Sequence, residues 1–183
     1  MSKIGITKNK AVSSAKEVAR TAVFTAAVIG AQYALSALPF VEIVTLLFAV
    51  YSYVFGGVRG VVAAVAFALL RQLLFGFFPV VLLLYLIHFP LLALAFGALR
   101  KTRLSSWKLL AVAVVVAVAL TVGFTLLDNV LTPLYYSYSP KAAQAYFKAS
   151  LLFMLGQSVC VALTVSALFV PVTKSIQKAI PKA

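Results

Sequence analysis

The chain has 183 residues, of which 64% are hydrophobic and 10% charged, and its mean hydropathy is +1.10. A soluble domain carries about 25% charged residues, so a water-soluble globular fold is excluded and an integral membrane protein is expected. The net charge of +13 would suit nucleic acid elsewhere, but here the basic residues gather at the ends of apolar segments. That placement is how membrane orientation is encoded, and no nucleic-acid partner is expected.

Residues 1–18 are polar and basic, with no short apolar core and cleavage site after them, so no cleaved leader is expected. Six apolar segments follow. The first covers 19–38 and stops at Pro39; the second covers 41–55 and ends at Gly56-Gly57, a natural turn. The third covers 60–75 and ends at "GFFP" (76–79), and the last three cover 80–99, 109–127 and 149–172. The second and third span only about 22–24 Å as helices at 1.5 Å per residue, so they thin the bilayer or extend into their turns. The stretch 128–148 holds Pro133, Pro140 and "YYSYS" (135–139) and reads as a structured outer loop. The expected fold is an all-α integral membrane protein. A six-helix membrane domain at 19–172 stands between a basic N-terminal segment at 1–18 and a basic tail at 173–183.

Charge supplies the orientation. Lys3, Lys8, Lys10, Lys16, Arg20, Arg59, Arg100, Lys101, Arg103, Lys108, Lys174, Lys178 and Lys182 fall on one side of a six-span topology. Lys141 and Lys148 fall on the other, and Arg71 lies within the third segment. By the positive-inside rule both termini face the cytoplasm.

Within this topology, Glu42, Arg71, Asp128, Asn129, Gln32 and Gln157 all lie in the outer half, and His88 lies near mid-helix. Ionisable residues in membrane helices face a partner or a water-filled cavity. Glu42 and Arg71 form an ion pair between neighbouring helices, or part of an outward solute pocket, or snorkel to the lipid headgroups. Asp128 and Asn129 either end the fifth helix or touch a ligand. His88 is either an interhelical hydrogen bonder or a proton relay, and no metal-ligand spacing surrounds it. The single cysteine, Cys160, excludes a disulfide framework or a cysteine metal site within one chain. Neither a nucleotide motif nor any cofactor signature is present, so uphill movement of a solute would draw on a partner or an ion gradient. On the first helix Ala22, Ala26, Gly30 and Ala34 recur every four residues. Such a stripe allows close helix approach, either inside the bundle or to another membrane subunit.

These features resemble a known family. A basic N-terminus leads into "ARTAVFTAAVIGA" (19–31), then a proline-containing outer loop, then "VEIVTLLFAVYSYVFGGVRG" (41–60). The pattern is similar to the substrate-binding S components of energy-coupling-factor transporters, the prokaryotic vitamin importers. The resemblance implies a non-catalytic subunit in a prokaryotic cell membrane that captures a small vitamin-like solute from outside. It implies a pocket made by the first outer loop and the outer halves of helices four to six. The loop maps to Pro39, Phe40 and Glu42, and the helices offer Tyr85, His88, Asp128, Asn129 and Gln157. Arg71, on helix three, lies outside those family elements and is added as the one arginine well inside an apolar segment, Arg20 standing at the edge of the first. The resemblance further implies partners: a membrane scaffold subunit with two ATPase subunits, on which the S component topples and docks. The family's AxxxA docking pattern on helix one matches Ala22 and Ala26, with Gly30 continuing it.

Two other classes compete. A self-contained secondary carrier or channel would use Glu42, Arg71, His88 and Asp128 as a proton path, and inverted repeats or broken helices would be expected. An intramembrane enzyme would need paired carboxylates or a nucleophile–base spacing on one helix face, and neither is seen.

Overall fold

The computed structural model describes residues 2–179 apart from Pro39 and Arg103, with side chains from Ala15 onward. The expectations placed on Pro39, Arg103 and Lys182, and on the side chains of Lys3, Lys8 and Lys10, therefore lie outside what is described. The described residues form six helices and no strand: α1 (Ser2–Leu35), α2 (Val44–Phe55), α3 (Gly57–Phe75), α4 (Pro79–Leu99), α5 (Ser106–Tyr135) and α6 (Pro140–Ala179).

Five of these helices contain segments long and apolar enough to cross a membrane: Ala15–Leu35 of α1, and α3, α4, α5 and α6. The second expected span departs from this pattern. α2 has 12 residues, about 18 Å of helix, against a hydrocarbon core about 30 Å thick. It begins at Val44 rather than at residue 41 because residues 41–43 are irregular, and Glu42 places its side chain on the helix start. α2 compensates by position. It packs against every other helix, and most of its residues, from Val44 to Val54, are buried. α3, by contrast, does extend into its turn and starts at Gly57.

The connections follow from local chemistry. Gly56 takes φ +101°, a conformation open to glycine at no steric cost, and so ends α2 and starts α3 within one residue. At the far end of α3, Gly76 (φ +92°) turns the chain, and the Gln72 side-chain carbonyl accepts the Phe78 N–H at 2.9 Å. Pro79 then opens α4, where its missing N–H and fixed φ suit a first turn.

The stretch 128–148 is not a loop. α5 continues to Tyr135 and α6 starts at Pro140, so only residues 136–139 turn. Polar side chains do not by themselves end a helix, and those of Asp128 and Asn129 join the two helices as they run on. Asp128 accepts from Tyr146 at 2.6 Å and from Thr132, while Asn129 and Ser150 are hydrogen-bonded at 2.7 Å.

The core is aromatic. Phe48 of α2, Phe67 of α3 and Phe89 of α4 interlock with ring centroids 4.9–5.5 Å apart, in the edge and tilted arrangements that aromatic quadrupoles favour. Below them α3 and α4 approach backbone to backbone, since a Cβ on Gly97 would fall on the main chain of Gly57. Large apolar side chains such as Val23, Leu73, Leu83, Val115 and Leu163 are exposed on the outside of the bundle. An apolar exterior of this extent is a surface for lipid or protein rather than for water.

Candidate functional site

The helices leave one end of the bundle open. The C-terminal end of α1, the connection 36–43, the start of α2, the C-terminal end of α3, the middle of α4 and α5, and Phe153 and Gln157 within α6 enclose a cavity of about 400 Å³. This is within the range of small-molecule sites, roughly 300–1,000 Å³. The opposite end of the bundle carries the basic groups. There Arg59 pairs with Glu17, Arg20 lies 4.6 Å from the Phe55 ring centroid, and Arg100 reaches the α2–α3 turn.

Six of the residues singled out from the sequence line the cavity: Phe40, Glu42, Arg71, Tyr85, His88 and Gln157. Asp128 and Asn129 do not line it. Their hydrogen bonds described above place them in the seam between α5 and α6. Gln32, Phe75, Phe89, Thr121, Phe124 and Phe153 also line the cavity; of these, Phe75 reads from the sequence as an interfacial belt residue or a ring stacking on a ligand, and the others have no individual site role there. For the phenylalanines no sequence signal separates a wall from a lipid-facing ring. Gln32 did carry one, as an amide deep in an apolar helix.

Arg71 is the best-defined polar group of the site. Its Nε donates to Gln32 Oε1 at 3.3 Å, and Gln32 Nε2 donates to the Tyr85 hydroxyl at 3.0 Å. The guanidinium carbon lies 4.7 Å from the Phe75 centroid and 4.9 Å from that of Tyr85, so two ring faces complement the cation. These contacts fix the plane of the fork. The expected alternative of an ion pair with Glu42 is not formed: among the described residues the ion pair present is Arg59–Glu17.

Glu42 is engaged elsewhere. Its carboxylate oxygens accept the Thr45 N–H at 3.0 and 3.3 Å, so the acid caps α2. A negative group at a helix N-terminus meets both an unpaired donor and the positive end of the helix dipole. The backbone of Glu42 is itself held from α6. The Cys160 thiol accepts its N–H at 3.3 Å and donates to its carbonyl at 3.6 Å.

Phe40 closes the side of the cavity. It adopts φ +68°, a conformation unusual for a bulky residue. Its ring packs over Gly156, where a Cβ would collide with it, and lies 5.2 Å from the Phe153 ring. A strained residue held by its neighbours is common at ligand clamps. His88 lies against Phe89 and Phe124 with ring centroids 4.9 and 5.0 Å away. It is a polar edge in an aromatic wall. No group of His, Cys, Asp and Glu among the described residues is arranged to hold a metal ion.

The small-residue stripe of α1 faces away from the bundle. Ala22, Ala26, Gly30 and Ala34 are all exposed, and a Cβ on Gly30 would meet nothing within 4 Å. Comparison with protein-family models, with curated proteins and with solved structures finds no match to this chain.

Proposed function

We propose that the chain is a non-catalytic solute-binding subunit of an energy-coupling-factor type importer. It captures a small vitamin-like solute from outside a prokaryotic cell and delivers it by docking on a membrane scaffold with two ATPases. The observation that carries the reading is the cavity at the end of the bundle away from the basic clusters. It has aromatic walls, convergent polar groups that include Arg71, Gln32, Tyr85 and His88, and a connection packed over its side, which is the anatomy of a small-molecule site.

The proposed topology has six membrane segments with both termini in the cytoplasm. The short α2 is completed by residues 41–43 and sheltered by its neighbours, because irregular backbone at membrane depth is tolerated where protein or a cavity surrounds it. In this orientation the Arg20, Arg59 and Arg100 end faces inward and the cavity faces outward. The exposed stripe Ala22, Ala26 and Gly30 supports docking to a partner. Its small side chains are exposed, and close approach of another helix is what such a stripe permits.

The test is mild affinity purification from the native membrane, with mass spectrometry of what accompanies the protein. A paired set of ATPases and one multi-span scaffold is the expected result. Recovery of the protein alone in several mild detergents, together with solute transport by the purified protein in ATPase-free liposomes, would replace this reading with a solitary carrier.

A further inference from the structure

We infer that the cavity takes a solute carrying a single carboxylate beside a planar ring, with Arg71 as the residue that receives the carboxylate. The inference rests on the solute-binding reading above and names the class of solute.

The chain contains three acidic residues, Glu17, Glu42 and Asp128, and all three lie in the described region. Glu17 pairs with Arg59 at the other end of the bundle. Asp128 is held by Thr132 and Tyr146. Glu42 lines the same cavity as Arg71 but turns its oxygens to the Thr45 N–H. Arg71 is therefore a cation in a largely apolar site with no acid of its own chain paired to it. Its Nη1 is buried and has no hydrogen-bond partner among the described residues. A partly buried charge without a counter-charge is costly in such a site, and a buried polar atom without a partner adds to that cost. A solute that supplies the counter-charge relieves both.

The form of the anion follows from the groups present. A guanidinium fork matches a carboxylate with two parallel hydrogen bonds, and Gln32 and the rings of Phe75 and Tyr85 hold that fork in a fixed plane. A phosphate ester carries a charge of about −1.5 to −2 and would need more donors than one guanidinium, in a cavity that also holds Glu42. The N-terminus of α2, an alternative anion site, is already occupied by the Glu42 carboxylate. Rings of Phe89, Phe124 and Phe153 line the remainder of the cavity, a surface suited to a flat apolar body.

The experiment uses the purified full-length protein in lipid nanodiscs and a small-molecule extract of the growth medium, split on an anion exchanger at neutral pH. Thermal unfolding is followed with the retained fraction and with the flow-through, each with and without alkaline phosphatase treatment. The expected result is a rise in melting temperature with the retained fraction alone, unchanged by phosphatase. Stabilisation by the flow-through alone, or loss of the effect on phosphatase treatment, would overturn the carboxylate inference and leave the solute-binding reading standing. Stabilisation by neither fraction would overturn both. In the same assay Arg71→Met should weaken binding roughly 10- to 100-fold, the loss expected for hydrogen bonds to a charged group. Arg71→Lys, which keeps the charge but not the fork, should weaken it less. Undiminished binding by both variants would overturn the assignment of Arg71.

Discussion

The thiol of Cys160 on α6 clasps the backbone of Glu42, accepting its N–H at 3.3 Å and donating to its carbonyl at 3.6 Å. The two residues are far apart in the chain, and the clasp is what ties the connection 36–43 to the helix across the cavity. A residue that the sequence offered only as a lone apolar-run cysteine thus holds the main chain of the site's one acid. Replacing Cys160 with Ala removes both contacts, for a net loss of about 1 kcal/mol, or roughly fivefold in affinity if the connection must be seated to bind. Cys160→Ser should restore most of it. Solute affinity of the three proteins, measured by isothermal titration in nanodiscs, checks the expectation. Equal affinities would mean that the clasp does not position the connection.

Phe40 and Gly156 make a second, purely steric link. A Cβ at position 156 would occupy the place of the Phe40 ring, so Gly156→Ala should push the ring and its strained backbone aside. Affinity is expected to fall about tenfold or more with little change in the melting temperature of the solute-free protein. Phe40→Ala should cost affinity by itself. Adding Gly156→Ala to it should cost little more, which is the non-additivity of residues in contact. Additive losses in this double-mutant cycle would show that the two positions act independently.

The crossing of α3 and α4 behaves oppositely. Gly97 lies against the backbone of Gly57, and neither main chain can yield as a side chain does. Gly97→Ala should therefore destabilise the fold by at least the 1–3 kcal/mol, roughly, of an overpacked core. A lower melting temperature in detergent is the readout. An unchanged melting temperature would imply that the helices separate freely.

Asp128 and Asn129 supply a test of division of labour. Because they join α5 to α6 rather than line the cavity, Asp128→Asn and Asn129→Ala should leave solute affinity within about twofold. Each should lower stability by about 1 kcal/mol per lost hydrogen bond. A tenfold loss of affinity without loss of stability would place them in the site after all.

The α1 stripe is expected to act on partners alone. Ala26→Leu or Gly30→Leu adds bulk to an exposed face and should abolish co-purification with a scaffold while solute affinity is unchanged. Retained co-purification by both variants would move the docking surface elsewhere.

Much of the architecture was legible in the sequence because a long apolar run is a local property. The cost of exposing it to water, and of leaving its backbone unpaired in lipid, leaves a helix as the available solution. The six apolar runs accordingly are helices, and the same local chemistry sets the Gly56 turn and the start of α4 near Pro79. Polarity, by contrast, does not mark the end of a helix here. α5 runs past Asp128 to Tyr135 and α6 begins at Pro140, since a carboxylate held by Thr132 one turn later and by Tyr146 across the seam is compatible with continuing helix.

The candidate site divided along the same line. That Glu42, Arg71, Tyr85, His88 and Gln157 needed an explanation followed from their cost in an apolar chain, which composition alone sets. What most of them do was decided by contacts between helices, through rotations of each helix about its axis that no hydropathy window records. Glu42 is the exception: its oxygens meet the Thr45 N–H three residues on, a local cap. Tertiary packing put Gln32 against the guanidinium and left Asp128 in a seam. A charge's burial cost is written in its own residue and neighbours; its partner is chosen by whichever helix face folding brings within hydrogen-bonding reach.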